Sequence, residues 1–421
     1  MTRLQSKGVA SIMSDSDPGA ETATTAAGAL AGIRVLDLTQ VLAGPYCTQI
    51  LGDFGAEVIK IESPRGGDQS RASMGPRLKG DDRAGFLAVN RNKKSVTLNL
   101  KEDEGREVFL RLVESADVLV ENYRPGTTAK LKIDYPSLKA LNPRLIYASV
   151  SGFGQSGPYA SRPGYDLIAQ AMSGVMSVTG ETDGRPVKCG LPISDLTAGI
   201  FAALGILTAH AARARTGCGQ HVETSLFEAA LGLSIWEAVT LWTSGHAPGP
   251  LGSAHRLTAP YQALKTKDGY VTIAANNPRS WTQLCKTLGN PALAADPRFD
   301  TNDQRMTNVS ALITELEGAL STKTTDEWMQ LFLADGIASG PIRTYDEVFA
   351  DPHTQAREMV VTMNHPVEGA LRALATPIKL DGTPATIRRA APLLGEHTEE
   401  ILRSTGYTTS EIENFRRRGI I

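Results

Sequence analysis

Two hydrophobic periods alternate along the first third of the chain. Ile33–Leu38 (IRVLDL), Glu57–Ile61 (EVIKI), Ser95–Leu100 (SVTLNL), Val118–Val120 and Leu145–Val150 are short apolar runs of the kind that form buried strands. Between them the spacing becomes helical. Val108, Leu110, Leu112 and Val113 mark a helix over Glu102–Ser115, and a second helix is predicted over Pro45–Gly55 with the proline in its first turn. Such alternation predicts an α/β protein, a parallel sheet covered by helices on both faces.

A longer helix starts near Asp195, runs through FAALGILTAHAARAR and stops at Gly217 and Gly219. A strand over Gln220–Thr224 and a helix over Ser225–Trp242 follow, and then HAPGPLGS, whose prolines and glycines read as a domain boundary. Tyr261–Leu264 and Gly269–Ala275 form a predicted hairpin around KTKDG. Amphipathic stretches near 279–288, 306–318 and 324–335 complete a small α+β domain. The chain thus divides into a tail (1–31), a large domain (32–225), a linker helix with the small domain (226–350), and a C-terminal part (351–421). The tail is small and polar without an apolar face, and Asp15, Asp17 and Glu21 argue against a transit peptide.

Composition narrows the function. With 43 Lys and Arg against 45 Asp and Glu, the net charge of −2 leaves no basic excess for a phosphate backbone, so no nucleic-acid partner is expected. No run approaches the roughly 20 apolar residues of a membrane span, and no membrane partner is expected. Cys47, Cys189, Cys218 and Cys285 are scattered without a CxxC pair, which fits neither a zinc site nor a disulfide framework. A reducing, cytoplasmic compartment is the expectation.

Gly152-Phe153-Gly154-Gln155-Ser156-Gly157 satisfies GxGxxG directly after a predicted strand. Dinucleotide binding requires the last glycine to open a helix whose N-terminus holds pyrophosphate. Pro158 and Pro163 follow too soon for that, and no strand ends in an acidic residue about 20 positions later. The motif is read as a decoy for NAD.

The same residues belong to a larger pattern. VLDLTQVLAGPYCTQILGDFGAEVIKIESPRGGD (35–68), NRNKKSVTLNLK (90–101), ADVLVENYRPG (116–126), NPRLIYASVSGFGQSGP (142–158), GYDLIAQAMSG (164–174), SDLTAG (194–199) and APLLGEHTEEIL (391–402) occur in this order. Together they resemble the class III CoA-transferase family, which includes formyl-CoA transferase, carnitine CoA-transferase and the α-methylacyl-CoA racemases. The resemblance implies a Rossmann-like large domain built from both chain ends, an inserted small α+β domain, and an interlocked homodimer. It implies CoA and acyl-CoA as substrates, with no permanently bound cofactor and no metal.

Family members use an aspartate nucleophile, and the matching position is Asp195 in PISDLTAG. A carboxylate that attacks the thioester divides one hard step into two easier ones. The plainer role of Asp195 is a helix N-cap. Formyl-CoA transferase carries a glutamine where this chain has Leu42, so the resemblance leaves only the backbone around Leu42 and Ala43 to line the thioester and argues against formyl and oxalate chemistry. The CoA-binding positions implied are Leu98, Asn99, Leu100 and Lys101, then Asn122, Tyr123 and Arg124, with Lys130 and Arg71 as further cations. Each of these cations is equally a solvated surface charge.

Asp166 matches an acidic residue beside CoA, with helix capping as its structural alternative. The racemase branch needs a histidine thirty residues before the aspartate, and here Tyr165 holds that place. A tyrosine, with pKa near 10, is a poor base at neutral pH, which favours the transferase. A racemase and a catalytically silent CoA-binding protein remain as alternatives. His255 and Arg256, in Gly252-Ser253-Ala254-His255-Arg256, resemble the stretch found in members that handle dicarboxylic acids, and are candidates for binding the acceptor's distal carboxylate. Succinyl-CoA is the donor this suggests.

Overall fold

The computed structural model describes residues 28–421. Its centre is a six-stranded sheet in the order β3-β2-β1-β4-β5-β6, formed by Arg34–Asp37 (β1), Glu57–Glu62 (β2), Lys93–Thr97 (β3), Val118–Glu121 (β4), Ile146–Ser151 (β5) and His221–Ser225 (β6). Every pair is parallel, with Leu36 opposite Ile59 and Leu119, and Ala148 opposite Val222. Side chains alternate between two apolar layers. Leu36, Ile59, Val96 and Leu119 face Val108 and Leu112 of the helix Asp103–Glu114, and Ile401 and Leu402 of the helix Thr398–Ser404. Val35, Val58, Val118 and Ala148 face Cys47 and Leu51 of the helix Ala43–Asp53, and Ala198, Ala202 and Ile206 of the helix Ile193–Thr216. The order reverses direction between β1 and β4. In a doubly wound sheet the crevice outside the carboxyl ends of the strands at that switch point is where ligands bind.

Three expectations are corrected in detail. The third strand lies at Lys93–Thr97 rather than Ser95–Leu100, because Lys93 is fully buried against Asp37 and continues the strand despite its charge. Residues 28–31 are not tail: the Leu30 amide donates to Phe54 O at 2.8 Å, and Leu30 packs on the core. The rest of the predicted tail falls outside the described residues. The predicted helix Ser225–Trp242 is two helices, Leu226–Gly232 and Ile235–Ser244.

Residues 259–337 enclose a core of their own, with Trp281, Leu284, Phe299, Leu316, Trp328 and Phe332 packed on a three-stranded antiparallel sheet. The predicted hairpin supplies Tyr261–Lys265 (β7) and Tyr270–Ala274 (β8), and Ala338–Pro341 (β9) adds the third strand. A further hairpin, Val360–His365 (β10) with Gly369–Leu374 (β11), precedes the return of the chain to the large sheet. There His397 N donates to Ser95 O and Asn99 N to Ile420 O, at 2.9 and 2.7 Å. The helix Ile193–Thr216 is 24 residues long, and by length and composition alone is apolar enough to cross a bilayer, contrary to the sequence expectation. Its alanine-lined face is consumed by the core, and its other face exposes Ile200, Phe201, Leu204 and Leu207.

Candidate active site

The crevice is shaped by a buried ionic network under the end of β1. Asp37, wholly buried, accepts hydrogen bonds from Thr39 N at 2.9 Å, Thr48 Oγ1 at 2.7 Å and Lys93 Nζ at 2.9 Å. Burial alone would raise its pKa, but the Lys60 and Lys93 cations and the two threonine hydroxyls outweigh burial and hold it at about 2. Lys60 Nζ donates to Thr39 O at 2.7 Å and pairs with Asp68 at 2.9 Å, both side chains out of solvent. Asp68 Oδ1 in turn accepts the Val41 amide at 3.0 Å. Val41 has φ +70°, a left-handed conformation that costs a β-branched residue roughly 1–3 kcal/mol and persists only when its surroundings hold it. Asn122, across the switch point after β4, clamps the same loop: its side chain accepts from Gln40 N and donates to Gln40 O, both at 2.8 Å. The loop therefore delivers Leu42 and Ala43 to the start of the helix Ala43–Asp53. Among the described residues no side chain caps that helix, and the first N–H groups of a helix have no partner within it.

Asp195 reaches the same place on the helix Ile193–Thr216. A turn further on, Gly199 lies so close to Ala43 O that a Cβ there would sit 2.6 Å away. Only glycine lets the two helices approach this far, and the approach carries Asp195 towards the Leu42–Ala43 backbone. The residue before Asp195 is tied down by Asp166, whose Oδ1 accepts the Ser194 amide at 2.9 Å while Oδ2 accepts from Gln170 Nε2 at 2.7 Å. Burial, and then the Asp166 carboxylate nearby, push the Asp195 pKa up to about 7.

A cavity of about 370 Å³ opens here, walled by Asp195, Leu42, Ala43, Tyr123, Arg124 and Tyr165 among others. It shares Gln40, Tyr123 and Thr127 with a neighbouring hollow of about 200 Å³, in which Leu98, Asn99, Leu100 and Lys101 lie. The two form one cleft along the carboxyl edge of β1, β2 and β4. A larger hollow, about 640 Å³, is apolar and lies elsewhere, between the helix Ala43–Asp53 and the β10–β11 hairpin; it touches Leu196 but not Asp195.

Most of the predicted positions thus meet in one cleft, and several do not. Arg71 is buried away from it: Nε and Nη2 bond the Glu62 carboxylate, Nη1 bonds Asp82, and the guanidinium lies 3.6 Å over the Phe86 ring. Its charge is already neutralised, so it is not free for a phosphate. Lys130 ends an exposed one-turn helix and lines neither hollow. Asn122 lines the cavity, but its amide is spent on Gln40. Asp166 caps neither its own helix nor the cleft, and acts on the Asp195 helix instead. His255 and Arg256 are on the small-domain side, where His255 packs on Trp236 and Tyr261 and Arg256 donates to Gly249 O; neither lines the cavity.

Sequence reasoning missed Lys60 and Asp68, whose one signal was a charge inside or beside an apolar run, and Arg162, which lines the cavity next to Pro163. The GxGxxG segment forms no helix; the next one begins at Asp166. Gly154 and Gly157 have φ +92° and +87°, and Gly152 is pressed against Gly164, where a Cβ would come within 2.6 Å of the Gly164 Cα. Gly152 and Gly164 both line the cavity, and their close approach shapes its wall.

An α/β enzyme with its cleft at the strand switch point is what this geometry describes, and comparison with known proteins gives its class. A sequence model of CoA-transferase family III matches residues 30–398. The succinyl-CoA:glutarate CoA-transferase of Mus musculus is 38% identical over 93% of this chain and 90% of its own. The acetyl-CoA:oxalate CoA-transferase of Acetobacter aceti is 42% identical over 87% and 92%. A solved CaiB/BaiF family protein from Brucella suis superimposes with a TM-score of 0.81 and 40% identity, covering 90% of this chain and all of that one. The chain belongs to CoA-transferase family III, and it is an enzyme of acyl-CoA chemistry.

Proposed function

We propose that the protein moves CoA from a dicarboxylic acyl-CoA, with succinyl-CoA as donor, to a free dicarboxylic acid, using Asp195 as the covalent carrier. The observation that carries this is the placement of the Asp195 carboxylate in a cavity beside the unpaired amides of a helix start. Asp195 Oδ attacks the thioester carbonyl, the C–S bond breaks, and CoA leaves as thiolate from a mixed anhydride. The thiolate then attacks the aspartyl carbon of that anhydride, releasing the donor acid as its carboxylate and leaving an aspartyl-CoA thioester. The acceptor carboxylate repeats these two steps in reverse and Asp195 returns as carboxylate, so no proton is consumed.

The Leu42 and Ala43 backbone is the part of the site suited to the oxyanions of the tetrahedral intermediates, a contribution typically of several kcal/mol. The Leu98–Lys101 hollow takes the nucleotide end of CoA, with Arg124 and Lys101 near its phosphates. CoA comes and goes as a substrate. The similarity to an acetyl-CoA:oxalate enzyme reopens oxalate as an acceptor despite Leu42. A second copy of the chain covers the exposed Ile200, Phe201 and Leu204 and the exposed Trp236 and Trp242, since apolar faces of this extent mark interfaces. The interlocked dimer, with the small domain inserted in the large one, is the form the family resemblance implies.

Trapping tests the mechanism. Incubation with succinyl-CoA and hydroxylamine should convert Asp195 to a hydroxamate, read by peptide mass spectrometry, and Asp195→Ala should bind CoA but transfer nothing. Full transfer by Asp195→Ala would refute the covalent route.

A further inference from the structure

The geometry points to Arg162 as the residue that recognises the distal carboxylate of the dicarboxylic acid, a role that rests on the transferase reading above. A carboxylic acid reacting at Asp195 puts its reactive end against that residue, so a second carboxylate must end elsewhere in the same cavity. A cation there would hold it and select for it, most effectively through a two-pronged contact. Among the described residues, the cations lining the cavity are Arg124 and Arg162. Neither has a carboxylate partner within salt-bridge distance among the described residues, whereas Arg71 has two.

The two arginines sit on different walls. Arg124 follows Tyr123, which with Thr127 also lines the hollow containing Leu98 and Lys101, so it belongs to the end through which CoA extends. Arg162 belongs to the wall made by Pro163, Gly164 and Tyr165. Its guanidinium is held 4.0 Å over the Tyr159 ring, and its own amide donates to Tyr159 O at 2.9 Å. Tyr159 is set in turn by an edge contact with Phe153, centroids 6.0 Å apart. An arginine stacked on an aromatic face keeps the edge of its fork free, and that edge matches a carboxylate bidentately.

In each half-reaction the acid occupies the same place, first as the donor's acyl group and then as the acceptor. One cation therefore serves both, and selectivity for dicarboxylates should appear on donor and acceptor alike. His255 and Arg256 are not needed for it.

The experiment compares wild type, Arg162→Leu, Arg162→Lys and Arg124→Leu on acid pairs of matched chain length. Acceptors are glutarate and pentanoate, and donors are succinyl-CoA and butyryl-CoA. Loss of a charge-assisted, two-pronged contact should lower the glutarate-to-pentanoate ratio of kcat/KM by roughly 10- to 100-fold in Arg162→Leu. The succinyl-to-butyryl donor ratio should fall in parallel, and Arg162→Lys should recover part of both. Arg124→Leu should raise KM for both donors equally and leave the ratios where they were. Equal losses on mono- and dicarboxylates in Arg162→Leu, or a ratio change confined to Arg124→Leu, would overturn the assignment while the transferase reading stood. A wild-type enzyme that transfers CoA to no dicarboxylic acid would sink that reading, and this inference with it.

Discussion

Asp166 accepts a hydrogen bond from the Ser194 backbone N–H at 2.9 Å, and so fixes the first turn of the helix whose next residue is Asp195. The same carboxylate repels the charge on Asp195. One contact therefore positions Asp195, the proposed nucleophile, and adds to the effect of burial in raising its pKa to about 7. The two effects act in opposite directions on the rate at neutral pH.

The acid limb of kcat/KM for acyl transfer follows from the proposed mechanism, in which only the ionised carboxylate attacks. Activity should fall tenfold per pH unit below about 7 in the free enzyme. In Asp166→Asn the amide oxygen still accepts from Ser194, the negative charge is gone, and the limb should move to lower pH. It should stay above the ordinary carboxylate range, since burial is the larger cause. A pH–rate profile of both proteins measures this, and an unmoved limb would show that Asp166 does not act electrostatically.

Stability should carry the same signature with the opposite benefit. The folded-state pKa of Asp195 lies above its unfolded value near 3.9, so the native state binds the extra proton between those values and stability falls as pH rises from about 4 to about 7. A shift of that size corresponds to about 4 kcal/mol, and solvent at the cavity mouth should reduce it to roughly 1–2 kcal/mol. Asp195→Asn should therefore unfold at higher urea than wild type at pH 8, with no advantage at pH 4. Equal midpoints at pH 8 would contradict the raised pKa.

Gly199 is the point at which packing and catalysis meet. Alanine would improve helix propensity by about 1 kcal/mol, but its Cβ would lie 2.6 Å from the carbonyl oxygen of Ala43, a backbone atom that cannot swing aside. Overpacking of this kind costs roughly 1–3 kcal/mol, so Gly199→Ala should be net destabilising. Separating the helices also moves Asp195 from the Leu42–Ala43 backbone, and a misplacement near 1 Å can cost about 100-fold in rate. The measurements are the urea midpoint and kcat; full activity would mean that the helix approach does not position the nucleophile.

Much of this was legible in the sequence because it was local. The apolar runs put all six sheet strands near their observed places, and the helix expected to start near Asp195 begins at Ile193. What escaped depends on long-range pairing. Lys93 falls outside its predicted strand and nothing marks Lys60, inside EVIKI, as buried and paired, yet both are interior because Asp37 and Asp68 arrive from other segments to neutralise them. Arg71 read as free for a phosphate until Glu62 and Asp82 were seen around it. Arg162 showed only a common Arg-Pro pair, and its place in the cavity wall beside the Gly152–Gly164 contact is set by the fold.

The Asp68 prediction tests that buried network. Asp68→Ala leaves Lys60 without its 2.9 Å partner in a fully buried position and frees the Val41 amide. Removing one member of a buried ion pair typically costs about 3–5 kcal/mol. Asp68→Asn keeps an acceptor for Val41 and should hold the strained loop better than alanine does. The expected order of kcat is wild type, then Asp68→Asn, then Asp68→Ala, with urea unfolding giving the stability loss. Equal kcat in all three would show that the Val41 turn needs no help from Asp68.

Tyr165 decides between transferase and racemase. It lines the cavity at the position where a racemase needs a proton-transferring histidine, and the residue is 68% exposed. If its hydroxyl only positions substrate, Tyr165→Phe loses one neutral hydrogen bond, about 0.5–1.5 kcal/mol, which is roughly tenfold in rate at most. A group that moved a proton in the transition state would cost about 10²–10⁴-fold. Tyr165→His restores the acid–base pair with Asp195, yet should not give efficient racemisation, because the walls must also hold an enolate. The measurement is deuterium uptake at the α-carbon of a 2-methylacyl-CoA. Wild type should exchange nothing within many transferase turnovers, and rapid exchange would place this chain with the isomerases despite its tyrosine.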